Sequence, residues 1–248
     1  MIASITLKKQ IYKIDLSKPL DISIPMKGNK NNVNAWYVDP PRIEPHIEGD
    51  FIGSVAQGSS TNFNDIYFNP HAHVTHTECM GHITAEVHSV NKVMIRYWYT
   101  ATLITLAPEK AGNDFIISKK QLEKALEGGS PEALVIRTIP NTEEKLSRQY
   151  SNTNPPYITE EGMLFLVEIG IMHLLVDLPS VDKEKDQGAL LAHKAFWGIN
   201  GTIRPKATIT EFVYVPHHIK DGDYFLNLQL APFENDASPS RPVLFELL

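Results

Sequence analysis

Residues 118–138 read SKKQLEKALEGGSPEALVIRT, and this stretch decides the fold. Ser118 can cap a helix, and Gln121, three residues on, completes a capping box. The helix KKQLEKALE should stop at Gly128-Gly129, where a left-handed turn costs least. The run ALVIRT (133–138) that follows is apolar without alternation, which suits a strand buried on both faces. The pairing then recurs: Thr159 caps EEGMLFLVEI, Gly170 stops it, and IMHLLVD (171–177) is a second buried strand. A third helix is expected at about 185–197, closed by Gly198. Outward from this centre the chain is strand-rich. QIYKIDL (10–16), KVMIRYWYTATLITL (92–106), ATITEFVYV (207–215), YFLNLQL (224–230) and the closing PVLFELL carry the β-branched and aromatic content of strands. Residues 17–70 are rich in Pro, Asn, Gly and Asp and read as long loops with a few short strands, the kind that form pocket walls. Residues 140–156 read as a polar excursion over the surface. The order predicts an α/β fold with a mixed sheet and flanking helices. With no Gly/Ser- or Pro-rich linker, one domain over residues 1–248 is expected.

Composition narrows the function. The chain has 248 residues, 42% hydrophobic and 21% charged, with a net charge of −6. Those values are globular and argue against disorder. The negative balance argues against a nucleic-acid partner held by a general basic field and leaves a small-molecule substrate. One cysteine, Cys79, excludes an internal disulfide framework. No apolar segment of leader length follows Lys8 and Lys9, and no run reaches the roughly 18 apolar residues of a membrane helix. A soluble, cytoplasmic protein with no membrane partner is the expectation.

The anomaly is histidine. Five of the ten (His71, His73, His76, His82, His88) fall within 18 residues. In NPHAHVTHTECMGH (69–82), His76, Glu78 and His82 share parity, so an extended segment would point all three to one side. Two imidazoles and a carboxylate on one face can hold a divalent ion such as zinc or manganese. His71 and His73 have the opposite parity, and a bulge would be needed to bring one of them in. A solvated histidine-rich loop is the plain alternative. A second candidate set is Asp177, Ser180, Asp182, His193 and Glu211. There, His193 could equally be a hydrogen-bonded core residue and Glu211 a solvent-facing strand position. No G-x-S-x-G elbow and no G-x-G-x-x-G or Walker-type loop occurs, so serine-hydrolase and nucleotide chemistry are unsupported.

Taken together these pieces resemble the cyclase family of metal-dependent hydrolases, which includes bacterial kynurenine formamidases. The family signature H-x-G-T-H-x-D-x-P-x-H finds Thr75-His76 at its T-H, Glu78 at its Asp and His82 at its last His. Asp15-Leu16-Ser17 with Pro19-Leu20 is similar to the opening D-L-S-x-P-L. The stretch 177–182 is similar to D-x-P-S-x-D, and 236–241 to the closing segment. His193 and Glu211 fit the later His and Glu. The chain departs where the motif's first His falls on Ala72, its Gly on Val74 and its Pro on Met80. His71, restrained by Pro70, is expected to restore the first ligand, with His73 as the alternative.

The resemblance implies a fold of the swivelling β/β/α type, a homodimer or homotetramer, and one or two divalent ions, zinc or manganese. On this mapping His71, His76 and Glu78 bind a first ion. Glu78, His193 and Glu211 serve a second or shared site, and Glu211 also belongs with the catalytic group. His82 is assigned as general acid–base, because an imidazole titrates near neutrality. The implied reaction is hydrolysis of an amide or formamide, with N-formyl-L-kynurenine as the first substrate to test. A cyclic amide or lactone, as in isatin-hydrolase-like relatives, and a non-catalytic binding protein are the alternatives. Trp36, Tyr37, Phe63 and Phe68 could wall an aryl pocket, and Cys79 is expected to be a small packed residue.

Overall fold

Seven strands close into a mixed barrel in the computed structural model, which describes residues 1–7, 10–127 and 129–248. They are β1 (His76–Glu78), β2 (Trp98–Leu106), β3 (Ala133–Thr138), β4 (His173–Val176), β5 (Thr208–Glu211), β6 (Gly222–Leu230) and β7 (Ala237–Glu246). Their order is β6-β2-β3-β4-β5-β1-β7, and β6 pairs with β7 to complete the ring. The pairings β2–β3, β3–β4 and β4–β5 are parallel. The remaining pairings are antiparallel. Leu20–Asp21 hooks onto the outer end of β7. The helices are α1 (Pro70–His73), α2 (Val90–Val93), α3 (Lys119–Ala125), α4 (Glu160–Glu168) and α5 (Leu191–Trp197). This is the α/β class, with mixed sheet and flanking helices, that the sequence predicts.

The parallel part explains the unbroken apolar runs. All six residues of β3 are buried. Leu134 and Ile136 lie with Leu174 and Val176 under the helices, against Leu122, Met163, Leu166 and Phe196. Ala133, Val135 and Leu175 join the second cluster, with Leu103, Leu226, Leu228 and Leu244. A parallel strand covered on both sides has no solvent face to mark with polar residues. Ser118 and Gln121 form the expected capping box, and Thr159 caps α4 through Gly162 N–H.

Several boundaries differ from expectation. Residues 90–93 form α2, and β2 starts only at Trp98. The Ser89 carbonyl accepts from Lys92 and Val93 N–H, which turns the chain where composition alone reads strand. The helix of 185–197 starts at Leu191, because Asp186 accepts from Gly188 and Leu190 N–H and holds a turn instead. Strand β5 ends at Glu211, where Phe212 takes a left-handed φ of 55°. Helix α3 ends at Ala125; Gly128, half of its expected stop, lies outside the described residues, as do Lys8 and Lys9. Among the described residues no helix is long and apolar enough to cross a membrane.

At the start of β4, His173 is 5% exposed, contacts Thr208 Oγ1 through Nδ1 at 2.8 Å and lies 4.0 Å from the Tyr99 ring. Burial, and then the positive charges of Arg96 and Arg204, push it down to about 4. The folded protein therefore keeps it neutral while the unfolded chain, near pH 6.5, takes up a proton. Its contribution is present above pH 6.5 and lost as the pH falls toward 4, by about 3 kcal/mol in all. Urea unfolding at pH 7 and pH 4.5 should show His173→Gln losing less stability on acidification than the unsubstituted protein. Equal losses would refute this.

Candidate metal centre

Four histidines converge on Glu78. Strand β1 lies between β5 and β7, with His76 opposite Glu211 and Pro239, and Glu78 opposite Ile209 and Ala237. Alternation puts His76 and Glu78 on one face, and pairing brings Glu211 alongside. All three are buried, with His76 and Glu78 fully so. From the helix layer, α5 supplies His193, whose Nε2 reaches Glu78 Oε1 at 3.0 Å and Glu211 Oε1 at 3.8 Å.

His71 arrives from α1, a single turn capped by Asn69, whose side chain accepts from His71 N–H. A helical turn, rather than the expected bulge, carries it to the cluster. Its Nδ1 lies 3.1 Å from Glu78 Oε2, and its Nε2 2.8 Å from Asp236 Oδ2. His73, on the same turn, faces elsewhere: its Nδ1 accepts from Asn69 N–H and it lines a separate cleft with Asp39 and Arg42. His82 also departs from the extended reading. After Cys79 the chain enters a 3-10 turn, Met80–His82, and Gly81 passes so close to the His88 carbonyl that a Cβ would sit 2.4 Å from it. The turn still returns His82 to the cluster, stacked on His71 at 4.2 Å. Its Nε2 is 4.0 Å from Glu78 Oε2 and its Nδ1 3.5 Å from Asp236 Oδ2. Its side chain, 31% exposed, is the most open of the four imidazoles.

The hydrogen bonds fix what each group offers. His76 Nδ1 lies 2.9 Å from the Val74 carbonyl, so Nδ1 carries the proton and Nε2 presents a lone pair. That lone pair is 3.5 Å from Glu211 Oε2 and 3.9 Å from Glu78 Oε2. His76 Nε2 and Glu78 Oε2 are both buried without a hydrogen-bond partner. Buried acceptors facing one another are costly unless a cation lies between them. Ligands bonded to zinc at roughly 2.0–2.1 Å in a tetrahedron stand about 3.3 Å apart. The contacts of Glu78 Oε2 with His71 and His76 bracket that value, and His71, His76 and Glu78 offer atoms within 4.8 Å of one another. A divalent ion fits this donor set.

The field of the cluster is strong. Burial alone would raise Glu78, but the field of His82 and contacts with His193 and His71 hold it well below the usual carboxylate range. Burial would lower His71, yet Asp236 and Glu78 lift it to about 10. His193 is likewise carried well above its ordinary value, against its burial, by Asp182 and Glu78. Positive charge is stabilised here whether a proton or a metal ion supplies it.

Two carboxylates complete the site: Asp182, from the second candidate set, and Asp236, which the sequence marked only as part of the closing segment. Asp182 Oδ2 bonds His193 Nδ1 at 2.6 Å, and its carboxylate also accepts the backbone N–H groups of Ala192 and His193. It stands in the D-x-P-S-x-D stretch, so its signal was present. Asp236 opens the closing segment and sits beside both His71 and His82. Asp177, from the second candidate set, goes instead to a buried pair with Lys145. Of the four aromatic candidates, Trp36 touches the site shell, donating from Nε1 to the His71 carbonyl. Phe68 packs on Phe233, Tyr37 bonds Glu184, and Phe63 packs on His46 in the outlying hairpins. Cys79 is fully buried and its Sγ donates to the His88 carbonyl.

The chain is similar to known proteins along most of its length. The family model named Cyclase matches residues 14–183. The kynurenine formamidase of Bacillus anthracis is 30% identical over 233 residues, covering 92% of this chain and 97% of its own. That of Bacillus thuringiensis subsp. konkukian is 30% identical over 237 residues, covering 93% and 96%. Among solved structures, an isatin hydrolase bound to the product analogue thioisatinate superposes with a TM-score of 0.68 at 15% identity, covering 93% of each chain. A potential metal-dependent hydrolase with cyclase activity superposes at 0.64 and 15%, covering 92% and 97%. At those identities the two structures speak to the fold.

Proposed function

The chain belongs to the Cyclase family, and from that premise we propose that it is a metal-dependent amidohydrolase acting on N-formyl-L-kynurenine to give L-kynurenine and formate. The observation that carries the reading is the pair of buried, partnerless acceptors, His76 Nε2 and Glu78 Oε2, at the focus of the histidine cluster. The formamidase relatives, similar along almost the whole chain, support the formamide as substrate.

His71, His76 and Glu78 would hold the ion, with His193 and Glu211 sharing it or holding a second. A zinc or manganese ion bound there would supply water acidified toward neutrality and would polarise a carbonyl. The protein's own groups do the rest. Glu78 and Glu211 place negative charge beside the imidazoles and keep them oriented. Val181 N–H, donating to Glu211 Oε1 at 3.0 Å, fixes that carboxylate. Asp182 fixes His193 through Nδ1, the usual partner arrangement for a ligand histidine. His82 is open enough to meet substrate, and its Nε2 faces the focus of the site. It is the group placed to carry a proton to the departing aryl nitrogen.

The test is hydrolysis of N-formylkynurenine by purified protein supplied with zinc or manganese, with chelator as control. Turnover that chelation stops and His76→Ala abolishes is expected. No turnover by the metal-loaded protein would remove this substrate. Cleavage of isatin under the same conditions would move the reading to cyclic amides.

A further inference from the structure

Resting on that reading, we infer that His71 serves the metal centre through Nδ1 and that Asp236 is its positioning residue, fixing the ring by holding Nε2. The inference concerns this chain in particular, because the position at which the motif places its first histidine is Ala72. A donor drawn from residue 71, one step around a helical turn, approaches the site differently and needs its own support.

The geometry supplies it. His71 Nε2 lies 2.8 Å from Asp236 Oδ2, a hydrogen-bond distance, while Nδ1 faces Glu78 Oε2 at 3.1 Å. With Asp236 a carboxylate, Nε2 carries the proton and the Nδ1 lone pair is left for a cation. A histidine ligand that donates its other ring N–H to a carboxylate is fixed in tautomer and orientation, and made more basic. His193 repeats the arrangement with the nitrogens exchanged: Asp182 takes Nδ1 and Nε2 points at Glu78.

Asp236 is itself well anchored. Its carbonyl accepts from Cys79 N–H at 3.0 Å, tying it to the end of β1, and Asn235 before it accepts from Val90 N–H. The next residue, Ala237, is already in register opposite Glu78. The carboxylate therefore moves with the strand that carries Glu78. The same Oδ2 stands 3.5 Å from His82 Nδ1, so one oxygen borders both the ligand ring and the ring stacked on it.

The test measures zinc and manganese affinity of metal-stripped protein by competition with a chelating dye, so that it reads binding without turnover. Asp236→Asn keeps the shape and an acceptor oxygen; Asp236→Ala removes both. Losses of about 10-fold for Asn and toward 100-fold for Ala are expected, the range for an outer partner of a ligand histidine. Circular dichroism and melting of the metal-free variants establish that they fold. The deciding readout is a double-mutant cycle. In a His71→Ala background, Asp236→Asn should cost no more than about twofold, because the two act as a unit. A full additional loss in that background would overturn the inference and make Asp236 an independent ligand or a structural prop. Unchanged affinity in Asp236→Asn and Asp236→Ala would also overturn it, while leaving the hydrolase reading intact. An unsubstituted protein that bound neither ion would overturn both.

Discussion

Glu78→Gln is expected to lose its metal and to slow turnover of N-formylkynurenine by about 10³-fold or more, beyond the roughly 10–100-fold cost of an outer-partner change. The substitution keeps the volume of the side chain and removes one charge. Glu78 is fully buried and has His71, His193, His76 and His82 within 4.0 Å. Without its carboxylate those imidazoles face one another with no central anion, and each becomes a poorer ligand. Metal content by atomic emission and rate by absorbance of the product check the prediction together. Glu78→Asp, one methylene shorter and still charged, should retain metal. Full metal content and full turnover in Glu78→Gln would place the centre elsewhere in the molecule.

The second large effect is on stability. Lys145 Nζ lies 2.7 Å from Asp177 Oδ2, and both side chains are almost wholly buried, at 4% and 0% exposure. Lys145 also donates to the Thr138 carbonyl and hydroxyl, and Thr138 N–H and hydroxyl donate to Asp177. Burial lowers Lys145 and raises Asp177, so each is held charged by the other. Lys145→Met strands the carboxylate, and breaking such a pair from one side costs about 3–5 kcal/mol. Urea denaturation at pH 7 should show that loss, and the double variant Lys145→Met, Asp177→Asn should recover part of it. A loss below about 1 kcal/mol, the scale of a surface pair, would contradict the pairing drawn here.

Much of this molecule was legible before its structure. The capping box at Ser118 and Gln121, the buried runs at 133–138 and 171–177, and the cap at Thr159 depend on neighbours in sequence, and local rules read them. The strand reading of 92–97 missed because the turn there is held by backbone bonds to the Ser89 carbonyl, which β-branched and aromatic composition does not encode. At the site, parity placed His76 and Glu78 on one face because β1 is a true strand. The same rule put His82 on that face for the wrong reason: a 3-10 turn returns it there. Asp182 and Asp236 stood in quoted segments, yet their roles depend on contacts 11 and 165 residues away in sequence. No periodicity carries that information.

The closing of the ring has a consequence for how the molecule is made. Every histidine of the centre lies before residue 194, but Asp236 and β7, which flank β1, come at the far end of the chain. A polypeptide emerging from the ribosome thus displays a complete set of imidazoles before it owns the stave that seals them in. Pairings of such long sequence separation are slow to form. Metal capture at the proposed centre would therefore await the pairing of β7 with β1, and a chain truncated in β7 would carry nearly the whole ligand set with no centre to assemble.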